Sequence, residues 1–391
     1  MSQPAYPINE SSMSIAETIA AGRKRLSDGP FLAVVVVVTV VLLFDLAAKL
    51  MMVTVSIGPV SIGGEYSIAR FVSLLRTGVI VGLLFGLAGI GLSMTYSILN
   101  FANFSHGDLI TVGGFTGWGV AYLIAGWGTA GFGTLFFVRP LSDISTGAIG
   151  ANIINTPFAI VLGLVAAVLA TMAVAVVIDR LVYKPMRDRS GISLLIASIG
   201  VALALRYIIQ FVYGSRRRGV TASVDSYSTN LGAGTVSISP HAITIVVVSI
   251  ALMIGLHLLL QRTKLGKAMR AMADNKDLAL VTGIPTERVV LATWLIGAGL
   301  TGAAGYLTIL FRGNIGFDFG WLLLLFIFAA VILGGIGSIY GAIAGGLVIG
   351  IVREVSLVWI PSDLNAAAAF AIMILVLVFR PEGIFKGVST A

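Results

Sequence analysis

Runs of about twenty apolar residues recur along the chain from residue 31 onward, and no other feature restricts its fold as severely. A hydrocarbon core about 30 Å thick is crossed by roughly 20 residues rising 1.5 Å each. Inside lipid every backbone N–H and C=O must find a partner within the protein, which leaves helices and closed barrels as the only spanning forms. These runs are continuous and do not alternate, so they predict an all-α polytopic membrane protein. Composition agrees: 11% of the 391 residues are charged, against about 25% in an ordinary soluble domain.

Residues 1–30 form a polar tail, in which 14–21 can make amphipathic turns ahead of Arg23-Lys24-Arg25 and lie on the membrane surface. The run 31–53 is an extra N-terminal transmembrane helix, too apolar for too long to match the 7–15 residues of a cleavable leader. Its Asp45 and Lys49 share a helical face and can pair. Residues 54–77, with the turn signals Gly58-Pro59 and Gly63-Gly64, read as an outer linker. In the next span, 78–99, Gly78, Gly82 and Gly86 make a smooth strip for close helix contact. Spans at 109–124, 158–178, 192–212, 242–260, 289–310, 321–333, 339–352 and 364–379 bring the total to about ten, with both termini inside and 386–391 as a last tail. Trp118, Tyr122 and Trp127 are expected at the outer interface, ahead of a long outer loop over 128–157 that contains Arg139-Pro140.

Fifteen of the 25 Lys and Arg fall in segments placed inside and seven outside, as the positive-inside rule requires. The cations punctuate the spans, so the net charge of +8 describes topology and does not point to nucleic acid. Arg216-Arg217-Arg218, on an outer loop, breaks the rule. It attracts an acidic partner, marks an inverted topology, or solvates a loop edge.

Two breaks interrupt the apolar runs. The first holds Asn100, Asn103, Ser105, His106, Gly107 and Asp108, and the second is Gly334-Gly335-Ile336-Gly337-Ser338. An Asp at a helix centre in lipid costs about 2.5–3.5 kcal/mol, so polar groups persist there where something polar binds or passes. Broken helices in two halves of a chain are the usual sign of a translocation path, and these residues are its candidate lining or gate. His106 and Asp108 have two open roles, holding the broken backbone or touching a substrate. A half-helix starting near His106 would aim its N–H groups at an anion; Asp108 would oppose a carboxylate there and would instead cap the helix or bind an ammonium.

Enzymatic readings find little support. Ser105, His106 and Asp108 are sequence neighbours with no nucleophile elbow or second acid. The chain has no cysteine, and His241 and His257 stand alone, so no catalytic or metal site is expected. No Gly-x-x-x-x-Gly-Lys-Ser/Thr phosphate loop occurs.

The longest charged segment is 262–288. Leu265, Ala268, Met269 and Met272 share one helical face, Asp274 or Asn275 can cap a second short helix through 278–281, and Gly283 and Pro285 end it. Periodicity leaves two readings, turns resting on lipid headgroups or a docking knob.

The run Gly266-Lys267-Ala268-Met269-Arg270-Ala271-Met272-Ala273-Asp274-Asn275, continued by Leu280-Val281-Thr282-Gly283-Ile284, resembles the ATPase-coupling loop of ABC importer permeases. Asn103-Phe104-Ser105-His106-Gly107-Asp108, Leu333-Gly334-Gly335-Ile336-Gly337-Ser338 and Arg380-Pro381-Glu382-Gly383-Ile384-Phe385 resemble, in that order, motifs of the branched-chain (hydrophobic) amino acid permease family. The likeness covers a permease core over 78–385. Residues 1–77, Ser105 in place of a common alanine, and the length of 128–157 depart from the pattern.

The resemblance implies an ABC importer permease fold in a bacterial or archaeal inner membrane. It implies four kinds of neighbour: two cytoplasmic ATPases that bind ATP and Mg, a second permease (a related chain or the same one), an extracytoplasmic substrate-binding protein, and membrane lipid. No cofactor is expected in this chain. Leu265, Gly266, Met269, Arg270, Met272, Ala273, Asp274, Leu278 and Gly283 would serve coupling, and the cargo would be a branched-chain or other hydrophobic or neutral amino acid. Urea or a small amide is the alternative cargo, and an ion-coupled secondary transporter the alternative class.

Overall fold

The computed structural model of the chain describes residues 29–57, 60–138, 146–187, 189–232 and 234–385. The expected amphipathic turns at 14–21, Arg23-Lys24-Arg25, Gly58-Pro59, Arg139-Pro140 and the tail 386–391 lie outside the described residues. Among the described residues nine helices are long and apolar enough to cross a membrane, and a tenth apolar helix, Phe319–Gly334, is shorter. The chain is an all-α polytopic membrane protein.

It divides into two compact units, Met1–Ser67 with Ile374–Pro381, and Ile68–Met373 with Glu382–Ala391. In the first, helix α1 (Pro30–Leu50) is followed by an antiparallel hairpin of β1 (Thr54–Ile57) and β2 (Val60–Gly63). The expected Asp45–Lys49 pair forms at 2.7 Å. Asp45 Oδ1 also accepts from Gly63 N at 2.7 Å, so one carboxylate ties hairpin to helix.

The second unit contains α2 (Ile68–Leu99), α3 (Ser105–Ala125), α4 (Pro157–Ile178), α5 (Gly191–Tyr213) and α6 (Pro240–Arg262). Two short helices follow, α7 (Lys264–Asp274) and α8 (Lys276–Val281). Then come α9 (Thr286–Arg312), α10 (Phe319–Gly334), α11 (Ile339–Val355) and α12 (Asn365–Phe379), whose last residues belong to the first unit. α2 starts at Ile68, ten residues before the predicted span. Arg70 and Arg76 made 68–77 read as linker, but the stretch has no Gly or Pro to stop a helix.

Glycine sets how closely these helices approach. A Cβ on Gly78 would lie 2.8 Å from Ile351 Cα, one on Gly82 2.8 Å from Leu347 Cα, and one on Gly346 2.5 Å from Gly86 N. The predicted strip on α2 therefore meets a matching strip on α11, with the two helices antiparallel. Small residues in this pattern allow backbone contact where lipid supplies no hydrophobic driving force. Gly117 of α3 and Gly163 of α4 interlock likewise, each Cβ position falling within 2.7–2.8 Å of the other's carbonyl oxygen.

Trp118 and Tyr122 correct an expectation. Both are buried, and Trp127 alone of the three predicted interface aromatics is exposed. Trp118 stacks on Tyr306 at 5.1 Å between ring centroids and donates from Nε1 to Tyr306 O at 3.4 Å. Tyr122 donates to Val220 O at 2.7 Å. The glycines of α3 draw it to the centre of this unit, where its aromatic rings fill the space.

Candidate functional site

α2 ends at Leu99, and Asn100 turns the chain with φ of 54°, a left-handed conformation that Asn tolerates better than most residues. The turn leads to a buried polar cluster, in which Asn103 Nδ2 is left without a partner among the described residues. Asn103 Oδ1 accepts from Ser105 N at 3.0 Å, Ser105 Oγ at 2.7 Å and Tyr183 OH at 3.1 Å. Ser105 Oγ and Tyr183 OH are themselves 2.9 Å apart. The Tyr183 ring stacks on Trp294, 5.1 Å away and nearly parallel. Phe104 N donates to Ser198 Oγ at 3.0 Å, which joins the turn to α5.

His106 and Asp108 also find their partners within the chain. His106 Nε2 is 2.9 Å from Ala88 O, a carbonyl that only accepts, so Nε2 carries the hydrogen. Asp108, fully buried, takes Arg206 Nε at 3.2 Å and its terminal nitrogen at 3.0 Å. The same guanidinium lies 4.4 Å from the centre of the Trp321 ring. Gly107 is a packing position: a Cβ there would lie 2.9 Å from Gly320 O. The bonds observed tie His106 to a backbone carbonyl of α2 and Asp108 to a guanidinium of α5.

The second break lies at the same end of α2. A Cβ on Gly337 would touch Ser97 at 3.7 Å, three residues before Asn100. Gly335 and Gly337 have φ of 106° and 89°, and Ser338 caps α11 by accepting from Gly341 N at 3.0 Å. The carbonyls left open where α10 ends are closed by the C-terminal motif, with Ile384 N on Leu333 O at 2.9 Å and Phe385 N on Gly334 O at 3.0 Å. Two stretches that sequence offered as separate motifs thus form one structure.

The segment 262–288 folds as a hairpin of two short helices, each opened by a side-chain cap. Thr263 Oγ1 accepts from Gly266 N at 3.0 Å, and Asn275, rather than Asp274, caps α8 by accepting from Leu278 N at 2.9 Å. Gly283, with φ of 84°, ends it. α7 packs on α6, α9 and α2. Met269 and Met272 face inward and are buried, Leu265 and Ala273 are half-buried, and Asp274 is exposed. Arg270 bonds Gln261 Oε1 at 2.9 Å. The apolar residues left in the open are Leu278, Leu280 and Val281, at 61%, 60% and 85% exposure. The amphipathic face of α7 is therefore a base, and α8 carries the outward surface.

Beside the hairpin, Arg187 binds both oxygens of Asp179 at 2.9 Å and both of Glu287 at 2.6 and 2.7 Å. The end of α4 is thereby fixed to the first turn of α9. On the opposite end of α9, Arg218 donates to the carbonyls of Tyr213, Phe137 and Val138, and Arg217 pairs with Asp318 at 2.9 Å. Two of the three exceptional arginines are thus structural, because a guanidinium with five donors can close several chain ends at once.

A family model described as branched-chain amino acid transport system / permease component matches residues 74–378. The chain belongs to this permease family. Over 319 residues it is 30% identical to the high-affinity branched-chain amino acid transport system permease protein LivH of Escherichia coli (strain K12), covering 80% of this chain and 95% of that one. It is 29% identical to the corresponding protein BraD of Pseudomonas aeruginosa over 320 residues, 81% and 96% of the two chains. A probable branched-chain amino acid transport permease protein LivH of Methanocaldococcus jannaschii is 30% identical over 328 residues, 80% and 91%. No solved structure gives a significant match.

In this family member the partners of the polar break are Arg206, Tyr183, Ser198 and Trp294, none of which sequence reasoning singled out. One signal was present. Arg206 and Asp108 are opposite charges, each isolated in an apolar run, and charges at that depth are expected to find one another. Among the described residues no group of three or more His, Cys, Asp or Glu could hold a metal.

Proposed function

We propose that this permease-family chain is the transmembrane subunit of an ATP-driven importer for branched-chain or other hydrophobic or neutral amino acids. It works beside a second permease, on two cytoplasmic ATPases that bind ATP and Mg, and receives cargo from an extracytoplasmic binding protein. Both termini and the α7–α8 hairpin are cytoplasmic.

The observation that carries this reading is the hairpin, in a chain of this family. Three exposed aliphatic side chains stand on a helix whose base is packed against α2, α6 and α9, so a push on α8 reaches the bundle. Exposed apolar patches of this kind mark interaction sites. ATP-driven closure of the ATPases displaces the hairpin, α9 carries the displacement along its length, and helices rock about the breaks at 100–104 and 335–338, giving alternating access. Asn100, Asn103, Ser105, His106, Gly107, Asp108, Gly334, Gly335, Gly337 and Ser338 act in this scheme as the pivot of the gate.

The test is co-purification of this chain with the products encoded beside it. Two ATPases should co-isolate, and a loaded binding protein should raise ATP hydrolysis by the reconstituted complex. Uptake by this chain alone, insensitive to ATP depletion, would overturn the reading in favour of a secondary transporter.

A further inference from the structure

At the Arg312 end of α9, opposite the hairpin, a cavity of about 410 Å³ opens between α2, α9, α10 and α11. A volume of several hundred Å³ suits a small ligand. One wall is apolar, formed by Val81, Leu84, Phe85 and Leu323. The other holds Arg312, Arg353 and Glu354, with Arg217 joining the lining and Thr308 and Asn314 completing the polar side.

The charges of this wall do not cancel internally. Arg217 pairs with Asp318 at 2.9 Å, and Arg353 contacts Glu354 at 3.3 Å. Arg312 has no carboxylate within ion-pair distance among the described residues. Arg353 is held by stacking over Phe326, 5.1 Å away, yet its Nε is buried with no hydrogen-bond partner. The site therefore offers the guanidinium of Arg312 to an anion, a carboxylate in Glu354 to a cation, and an aliphatic wall, all within one small space.

We propose that this cavity binds the zwitterion of an aliphatic α-amino acid, its carboxylate on Arg312 and its ammonium on Glu354, with the side chain against Leu84, Phe85 and Leu323. The inference rests on the importer reading and adds to it a cargo site within the permease, at the end away from the ATPases. A guanidinium paired with a carboxylate is a strong, directional contact, and the two charges together distinguish an amino acid from an acid or an amine.

The test uses the full complex of both permeases and both ATPases in detergent, without the binding protein, and radiolabelled leucine as the probe. Saturable leucine binding is expected, displaced by isoleucine and at least tenfold less well by 4-methylpentanoate or isopentylamine, each of which lacks one charge. Arg312→Gln and Glu354→Gln should each weaken leucine binding tenfold or more, with Arg312→Lys intermediate, and Arg312→Gln, which breaks no ion pair, should do so at unchanged melting temperature. The site is overturned if the wild-type complex imports leucine but binds none saturably up to millimolar concentration, or if both variants bind as wild type does. It is also overturned if inorganic phosphate or anionic lipid vesicles occupy Arg312 and leucine does not displace them. A wild-type complex that neither hydrolyses ATP in response to the binding protein nor imports any amino acid removes the importer reading itself, and the site with it.

Discussion

The polar break at 100–108 and the hairpin at 264–281 each set side chains where their chemistry is ill suited. In the first, an amide, a hydroxyl, an imidazole and a carboxylate are buried in an apolar bundle. In the second, Leu278, Leu280 and Val281 stand exposed on a polar segment. The difference is where the partner resides. Asn103, Ser105, His106 and Asp108 bond to Tyr183, Ala88 and Arg206 of the same chain, whereas α8 presents its aliphatic groups with no cover from its own bundle. The break finds most of its partners within the chain, and the hairpin leaves its aliphatic groups uncovered.

Substitution can break this contrast. Asp108→Ala leaves the Arg206 guanidinium, mostly buried, without its counter-charge and should cost about 3–5 kcal/mol, seen as a large drop in melting temperature of the purified protein. Replacing both partners, Asp108→Leu with Arg206→Leu, should recover much of that loss; if the double variant is as unstable as the single, the pair is not the origin of the effect. Asn103→Leu removes the acceptor shared by Ser105 and Tyr183, and a loss of about 2–3 kcal/mol is expected. Ser105→Ala keeps the Asn103–Tyr183 bond and should cost only about 1 kcal/mol. Val281→Asp should change stability by less than about 0.5 kcal/mol, because the site is 85% exposed, while uncoupling ATP hydrolysis from uptake in the assembled complex. The contrast fails if Val281→Asp melts like Asp108→Ala, or if uptake by Val281→Asp is normal. Met269→Asp is unsuited to that experiment, since Met269 is buried and the change would damage the base of the hairpin.

Much of the architecture could be read from the residues because lipid imposes it. Continuous apolar runs of sufficient length have one outcome, so the long helices were legible, and the four-residue spacing of Gly78, Gly82 and Gly86 announced a close helix neighbour. The identity of that neighbour was not, because Gly346 and Gly350 carry the same signal as many other glycines in the chain. Helix ends were less certain: two arginines sufficed to hide the first ten residues of α2. The polar break was visible as an anomaly, but its solution lies with Tyr183 and Arg206, about eighty and a hundred positions away, and separation of that kind is set by packing alone. On the hairpin, periodicity located an apolar face on α7 without telling whether it points inward or outward.

The clasp of Ile384 and Phe385 on the end of α10 has a temporal meaning. These residues leave the ribosome only after α11 and α12 have been made, some fifty residues beyond the carbonyls they close, which is several seconds of synthesis at about 5–20 residues per second. Until then the carbonyls of Leu333 and Gly334 lack these two donors. A segment made after α11 and α12 thus fastens the turn between α10 and α11, and truncation just before Gly383 should leave a chain that inserts fully yet never matures into a protease-resistant form.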